Sequence, residues 1–228
     1  NSFSNLFGNG SNLGIKINYI EQKKANGLPE AFIIGEKFIN NKSVALVLGD
    51  NFFYGQGFTE KLGKTKKLKS GCKIFLYKVK NPQDYGTVEI KKNKIYKIKE
   101  KPKKSKSGLA ITGLYFFDKN VVKFSKKLKP SKRNELEITD LLNIYKNNNR
   151  LSYDFMGRGS AWLDTGSPKN LLSTSEFIST IEDRQGLKIG CIEEIAYNYN
   201  WINKKHIKER IRYYGKSEYS NYLKKIIS

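Results

Sequence analysis

A chain of 228 residues with 38% hydrophobic and 13% aromatic side chains can bury a substantial core, which excludes disorder along its whole length. Its net charge of +22 raises nucleic acid or a membrane surface as partners, but only six of its 43 basic residues are arginine. Lysine is spread over nearly every segment, a pattern of composition bias more than of a binding stripe, so nucleic acid is not the expected partner.

The first fourteen residues, rich in Ser, Asn and Gly, are predicted as a loop, and Ile15–Ile20 alternates as a half-buried strand does. Gly27-Leu28-Pro29-Glu30 opens a helix that Ala31 to Phe38 continues, with Pro29 in its first turn. Val44–Leu48 is an unbroken apolar run that predicts a central strand buried on both faces. Lys61–Lys69 reads as a helix. Strands follow at Lys73–Tyr77, Thr87–Ile90, Ile95–Lys99 and Ile111–Phe117, with a tight turn at Asn93. Residues 101–108 form a charged loop. Helices are expected at Asn120–Leu128, Leu136–Asn148, Pro168–Glu182, Asn203–Glu209 and Ser217–Ile227, and a strand at Leu151–Met156. The alternation of helix and buried strand argues for an α/β fold with a largely parallel sheet. Ligands in such a sheet sit beyond the carboxyl ends of the strands.

No apolar run approaches the roughly 20 residues of a membrane helix, and the opening NSFSNLFGNG does not read as a secretory leader. Cys72 and Cys191 are too few and too distant for a disulfide framework or a zinc site, so a reducing cytoplasm is the expected setting.

Four constellations could carry chemistry. Asp50, directly after the Val44 run, is placed either to hold Mg²⁺ beside phosphates or to cap a turn. Asp164, in Trp162-Leu163-Asp164-Thr165-Gly166, is either a second metal ligand or the cap of the following helix; two such aspartates make a metal clamp more credible than either alone. Lys101, between Glu100 and Pro102, is expected in an extended conformation, where it can grip a phosphate as a point charge or simply face solvent. Gly86 after Tyr85 permits close backbone approach or serves a turn into a strand. His206, the only histidine, lies among Lys and Ile and is not expected to catalyse.

Taken together, Gln22 with Gly27-Leu28-Pro29-Glu30-Ala31-Phe32, Val44–Asn51, Asp84–Glu89, Glu100-Lys101-Pro102, Thr112–Asp118, Glu135–Asp140 and Trp162–Gly166 resemble the sugar-1-phosphate nucleotidylyltransferases. Ile181–Lys188 resembles the thymidylyl branch in particular. The resemblance implies a Rossmann-like, mostly parallel mixed sheet flanked by helices. It also implies a core over residues 1–180 and a small helical C-terminal segment, 181–228, making oligomer contacts. It implies a Mg²⁺-dependent reaction of dTTP with glucose 1-phosphate that yields dTDP-glucose and pyrophosphate, for a dTDP-deoxysugar of the rhamnose type used in surface polysaccharide. By the same resemblance Asp50 and Asp164 hold the metal, and Lys101 contacts the sugar phosphate with Arg133 nearby. Gln22 and Gly27 face the thymine. Tyr85, Gly86, Glu100 and Trp162 line the sugar pocket. A homotetramer is implied, with a dTDP-sugar effector site to which Arg158 and Glu194 could belong.

One departure is large. The family's opening strand, its G-G-x-G-T-R-L phosphate loop and a later lysine have no counterpart in these residues. The family layout places roughly 60 residues there, enough for two strands and a helix. A chain without them is expected to be weak or inactive. The alternatives are a basic nucleic-acid-binding protein and a non-catalytic regulatory paralogue.

Overall fold

A computed structural model describes residues 2–66 and 68–228. Its elements in chain order are α1 (Ser2–Phe7), α2 (Glu30–Ile34), α3 (Glu36–Ile39), β1 (Val44–Val47), β2 (Asn51–Gly55), α4 (Phe58–Thr65), β3 (Cys72–Lys78), β4 (Thr87–Lys91), β5 (Lys94–Lys99) and β6 (Leu109–Phe117). They continue with α5 (Val121–Ser125), α6 (Ile138–Asn147), β7 (Leu151–Phe155), β8 (Ser160–Asp164), α7 (Pro168–Gln185), α8 (Ile192–Asn198), α9 (Lys204–Tyr214) and α10 (Glu218–Ile227). Two compact units result, one of residues 22–171 and one that joins residues 2–21 to Leu172–Ser228. This grouping differs from a division at residue 180 in setting residues 2–21 with the C-terminal helices.

The larger unit is built on β6. Its sequence LAITGLYFF is apolar on both faces, and seven of its nine residues are buried, Ala110 and Phe117 fully. One edge of β6 pairs with β3, and the other edge is shared by β1 and β4. The strand order is β5-β4-β6-β3-β7, with β1 also on β6. Helix α6 covers this sheet through Leu141, Leu142 and Tyr145, all fully buried in the cluster that includes Ile74, Leu76, Val88 and Phe117. A second, two-stranded sheet pairs β2 with β8.

The sheet is mixed and flanked by helices, as expected, but parallel pairing among the described strands is confined to β3 with β7. The other ladders are antiparallel, and of these only β4 and β5 are joined by a tight turn. In that turn Lys92 (φ 48°) and Asn93 (φ 57°) are both left-handed, the geometry that matches strand twist in a two-residue hairpin.

Several expectations are corrected. Residues 2–13 are not all loop: α1 and a 3₁₀ turn at Ser11–Leu13 form there, separated by Gly8 and Gly10 at positive φ. Residues 15–20 make no strand pairing, and Ile15 and Ile20 are exposed, so their alternation has no apolar face behind it. The helix expected through Phe38 breaks at Gly35 into α2 and α3. The Val44 run is not a central strand: β1 pairs only with β6 among the described strands, and Val47 is 58% exposed. The Lys-rich helix begins earlier, at Phe58, and Lys67 lies outside the described residues.

In the smaller unit, α8, α9 and α10 pack around Cys191, Ala196, Ile207 and Leu223. Asn203 caps α9, and His206 completes the capping box by accepting from the Asn203 N–H (3.3 Å), a structural task. Glu193 is fully buried and accepts from Arg210 Nε (3.1 Å), Tyr214 (2.8 Å) and Tyr219 (2.6 Å), so its charge is paired inside the unit. Both cysteines are free and buried. No helix among the described residues is long and apolar enough to cross a membrane.

Candidate active site

Strands β1 and β4 occupy the same edge of β6 end to end, β1 opposite Leu114–Phe117 and β4 opposite Leu109 and Ala110. The interval between them is Ile111–Gly113. There the Leu48 N–H donates to Gly113 O (2.9 Å) and the Ile111 N–H to Gly86 O (2.8 Å). The chain leaving β1 and the chain entering β4 thus converge on the middle of one strand. A cleft of about 470 Å³ opens at this point.

Asp50 and Asp164 reach it from adjacent chains. The β2–β8 ladder sets Asn51 opposite Asp164, and the Thr165 N–H donates to Asp50 O (2.8 Å). Asp164 Oδ1 and Asp50 Oδ2 each lie 3.5 Å from the point that a Cβ on Gly166 would take, so the two oxygens are at most twice that distance apart. Burial pushes the Asp164 carboxyl up, but Tyr85, Asn170 and the Gly166 N–H donate to it and hold it below the ordinary aspartate range. Its partner Tyr85 is pushed the other way by burial and by the carboxylate it faces, so it stays a donor.

Asn51 ties this corner together. Its Nδ2 donates to Asp50 (2.7 Å), and its Oδ1 accepts from the Trp162 indole (2.6 Å) and the Gly113 N–H (3.1 Å). A side chain at Gly113 would strike that same Oδ1 at 2.5 Å, so glycine is required there. The Trp162 ring lies 4.9 Å from Tyr85, and the two form an aromatic wall.

Glu100, Lys101 and Arg133 line the same cleft. Burial and the neighbouring Glu137 raise the Glu100 pKa, against a hydrogen bond from Thr139 and the charges of Arg133 and Lys101. Glu100 Oε2 is 3.3 Å, and the Thr139 methyl 3.0 Å, from where a Cβ on Gly86 would stand, so that glycine lets the wall close up. Lys101 is not extended as its position before proline predicts: its φ is 37°, and its N–H bonds to Tyr85 O (3.2 Å), which turns the chain over the cleft. Arg133 grips Glu137 with Nε (3.0 Å) and Nη2 (2.8 Å).

Asp50, Tyr85, Gly86, Glu100, Lys101, Arg133, Trp162 and Asp164 therefore line one cleft. Gln22 and Gly27 do not. Gln22 is exposed and donates to Gly27 O (3.2 Å) and Glu30 (2.6 Å), while the next residue, Leu28, reaches the cleft. Arg158 is exposed in the turn before β8. Glu194 belongs to the smaller unit, on α8, and accepts from Tyr222 (2.6 Å). Neither lines the cleft. Sequence reasoning passed over Asn51, Glu137 and Asn170. Asn51 was signalled by adjacency to Asp50, whereas nothing local marked Glu137 or Asn170.

The family described as Nucleotidyl transferase matches residues 1–181. A glucose-1-phosphate thymidylyltransferase of Neisseria meningitidis is 46% identical across 99% of this chain and 79% of its own length. This chain belongs to the nucleotidyl transferase family. Another relative, the glucose-1-phosphate thymidylyltransferase of Mycobacterium tuberculosis, is 42% identical across 99% of this chain and 78% of its own. A solved Bacillus anthracis structure assigned to the same enzyme, in complex with a sucrose, superposes with a TM-score of 0.70 at 33% identity, covering 84% of this chain and 74% of its own. A UDP-glucose pyrophosphorylase complexed with UDP-glucose shares the nucleotidyl transferase fold at a TM-score of 0.61 and 24% identity, covering 72% of this chain and 66% of its own. The chain is a nucleotidyltransferase enzyme, and its sheet and flanking helices are those of the family.

Among the described residues no three His, Cys, Asp or Glu side chains are grouped as a metal cage. The Asp50–Asp164 pair nevertheless suits Mg²⁺, which keeps waters and takes one or two carboxylates plus substrate phosphate oxygens.

Proposed function

We propose that the cleft joins glucose 1-phosphate to dTTP. A phosphate oxygen of the sugar phosphate bonds to the α-phosphorus, the bond from that phosphorus to the bridging oxygen breaks, and pyrophosphate leaves with that oxygen. The products are dTDP-glucose and pyrophosphate. The observation that carries this reading is the meeting, in one cleft, of the Asp50–Asp164 pair with Lys101 and Arg133. It is supported by the relatives' names.

In this reading Asp50 and Asp164 hold the metal, which when bound neutralises phosphate charge. Asn51 and Tyr85 keep the two carboxylates in place. Lys101 and Arg133 receive the sugar phosphate, and positioning of this kind supplies much of the acceleration in phosphoryl-type transfer. Glu100 accepts from sugar hydroxyls, and the Trp162–Tyr85 wall gives the sugar ring an apolar face. Gln22 spends its amide hydrogens on Gly27 O and Glu30, which leaves its carbonyl as an acceptor for the thymine N3–H. A cytoplasmic homotetramer responding to a dTDP-sugar completes the proposal.

The test is turnover in the native enzyme, with dTTP and UTP compared as donors. Asp50→Asn and Asp164→Asn should each lower kcat by roughly a hundredfold or more, because each removes one charge that faces the transferring phosphate. Product formation should require Mg²⁺ and favour dTTP. Near-normal turnover in both variants would remove the metal role from this pair, and equal use of UTP would remove the thymine assignment.

A further inference from the structure

Arg133 stands on a loop with little to fix it. Residues 132–134 are exposed, and its own side chain is 44% exposed. A long, solvated side chain on such a loop samples many rotamers, and holding it in one place for a ligand costs entropy. The structure answers this chiefly with one carboxylate, Glu137, while Glu135 adds a longer contact to Nη2 (3.5 Å). Glu137 is buried immediately before α6, at its N-cap position, and collects three donors on its two oxygens. Oε1 accepts from Arg133 Nε (3.0 Å) and from the Ser131 hydroxyl (2.7 Å), and Oε2 accepts from Arg133 Nη2 (2.8 Å). Ser131 Oγ in turn accepts from the Arg133 N–H (3.1 Å), and the Ser131 N–H donates to Glu135 O (2.8 Å). The loop is closed on itself around Glu137. Two parallel bonds from a planar guanidinium fix its orientation as well as its distance. They use Nε and Nη2 and leave the Nη1 hydrogens for a ligand.

We propose that Glu137 is a positioning residue for the reaction: it pre-sets Arg133 in the cleft so that the arginine meets the sugar phosphate without first being ordered. This rests on the proposed role of Arg133. The cleft offers a sharp alternative. Glu137 feels the charges of Arg133 and Lys101, which favour its carboxylate, and itself acts on Glu100 and Asp140. If it acted only through charge, removing it would make the cleft more attractive to an anion. Positioning and simple electrostatics therefore predict opposite signs.

The experiment is steady-state kinetics on the native enzyme with glucose 1-phosphate varied at saturating dTTP. Glu137→Gln, which keeps the shape, should raise the KM for glucose 1-phosphate roughly tenfold or more, with a smaller fall in kcat and no change in the KM for dTTP. Ser131→Ala leaves every charge in place and should raise the same KM roughly two- to fivefold. It serves as the test if Glu137→Gln does not fold. In an Arg133→Ala background, Glu137→Gln should add nothing, because a residue that acts through another is silent once that other is gone. A KM that is unchanged or lower in Glu137→Gln, or effects that simply add, would overturn the proposal. If Arg133→Ala itself leaves the KM for glucose 1-phosphate unchanged, the role of Arg133 falls instead.

Discussion

Asp118, just beyond the end of β6, is 1% exposed and collects five hydrogen bonds, from the N–H groups of Gly71 and Asn120, the Asn120 amide, Tyr145 and Arg150. One carboxylate thereby ties the start of β3, the end of β6, α6 and the start of β7. Burial raises its pKa, but the donors win and hold it below the ordinary aspartate value. A carboxyl whose folded pKa is depressed stabilises the fold above its unfolded pKa, and that contribution is lost as pH falls through the folded value. Asp118→Asn should therefore cost about 2 kcal/mol near neutrality, a figure for hydrogen bonds to one charged group, moderated because Arg150 still reaches water. The deficit should shrink as pH drops below the carboxylate range. Denaturant midpoints of both proteins across pH check this, and a deficit that is constant with pH would mean that the charge of Asp118 contributes nothing.

At the scale of elements, Gly27 shows how one loop is held against the chain that leads into α6. Its φ is 98°, and a Cβ would stand 2.1 Å from Leu136 O and 2.7 Å from Leu136 N. The same approach lets the Leu136 N–H donate to Asn26 O (2.7 Å). Gly27→Ala should push residues 22–28 off Leu136, at a conformational cost of about 1 kcal/mol before the clash is counted. Because Leu28 and Leu136 both line the cleft, the KM for dTTP should rise while that for glucose 1-phosphate holds; the reverse split would put Gly27 on the sugar side. Much of this level was legible in the sequence. The strands β3 to β7, the Lys92–Asn93 turn and the long C-terminal helices all follow from local patterns. The motifs around Asp50, Tyr85, Glu100, Lys101, Arg133 and Trp162 do meet in one cleft. What local pattern could not give was partnership. The Val44 run has the composition of a central strand, but whether a strand is paired on one edge or two is decided by distant chain. The β2–β8 sheet joins segments more than a hundred residues apart, and nothing in Asn51–Gly55 announces it. The grip of Glu137 on Arg133 depends on a loop that closes around Ser131, not on helical spacing.

The whole molecule carries +22, but its cleft does not share that sign. Asp50, Asp84, Glu100, Glu135, Glu137 and Asp164 line it against only Lys101 and Arg133. Such a lining does not suit a bare polyanion, which weighs against a nucleic-acid groove at this place and fits phosphates that arrive with a divalent cation. The long-range field still draws anions toward the surface, and it is screened within about 10 Å at 0.1 M salt. The ratio kcat/KM should therefore fall as sodium chloride is raised, while kcat, set by contacts inside the cleft, changes little. A kcat/KM that rises with salt would mean that the acidic lining, not the basic exterior, governs capture.

The gap between Asp50 and Asp164 is inherited from a ladder rather than from a loop. Asn51 to Gly55 run opposite Asp164 to Ser160 without a slip. Residues 157–159 lie exposed outside that ladder, so this stretch can lengthen or shorten over generations and leave the two carboxylates where they are. One residue gained within Ser160–Asp164 would turn Asp164 to the opposite face of the sheet, so drift in the gene is free on one side of Ser160 and closed on the other.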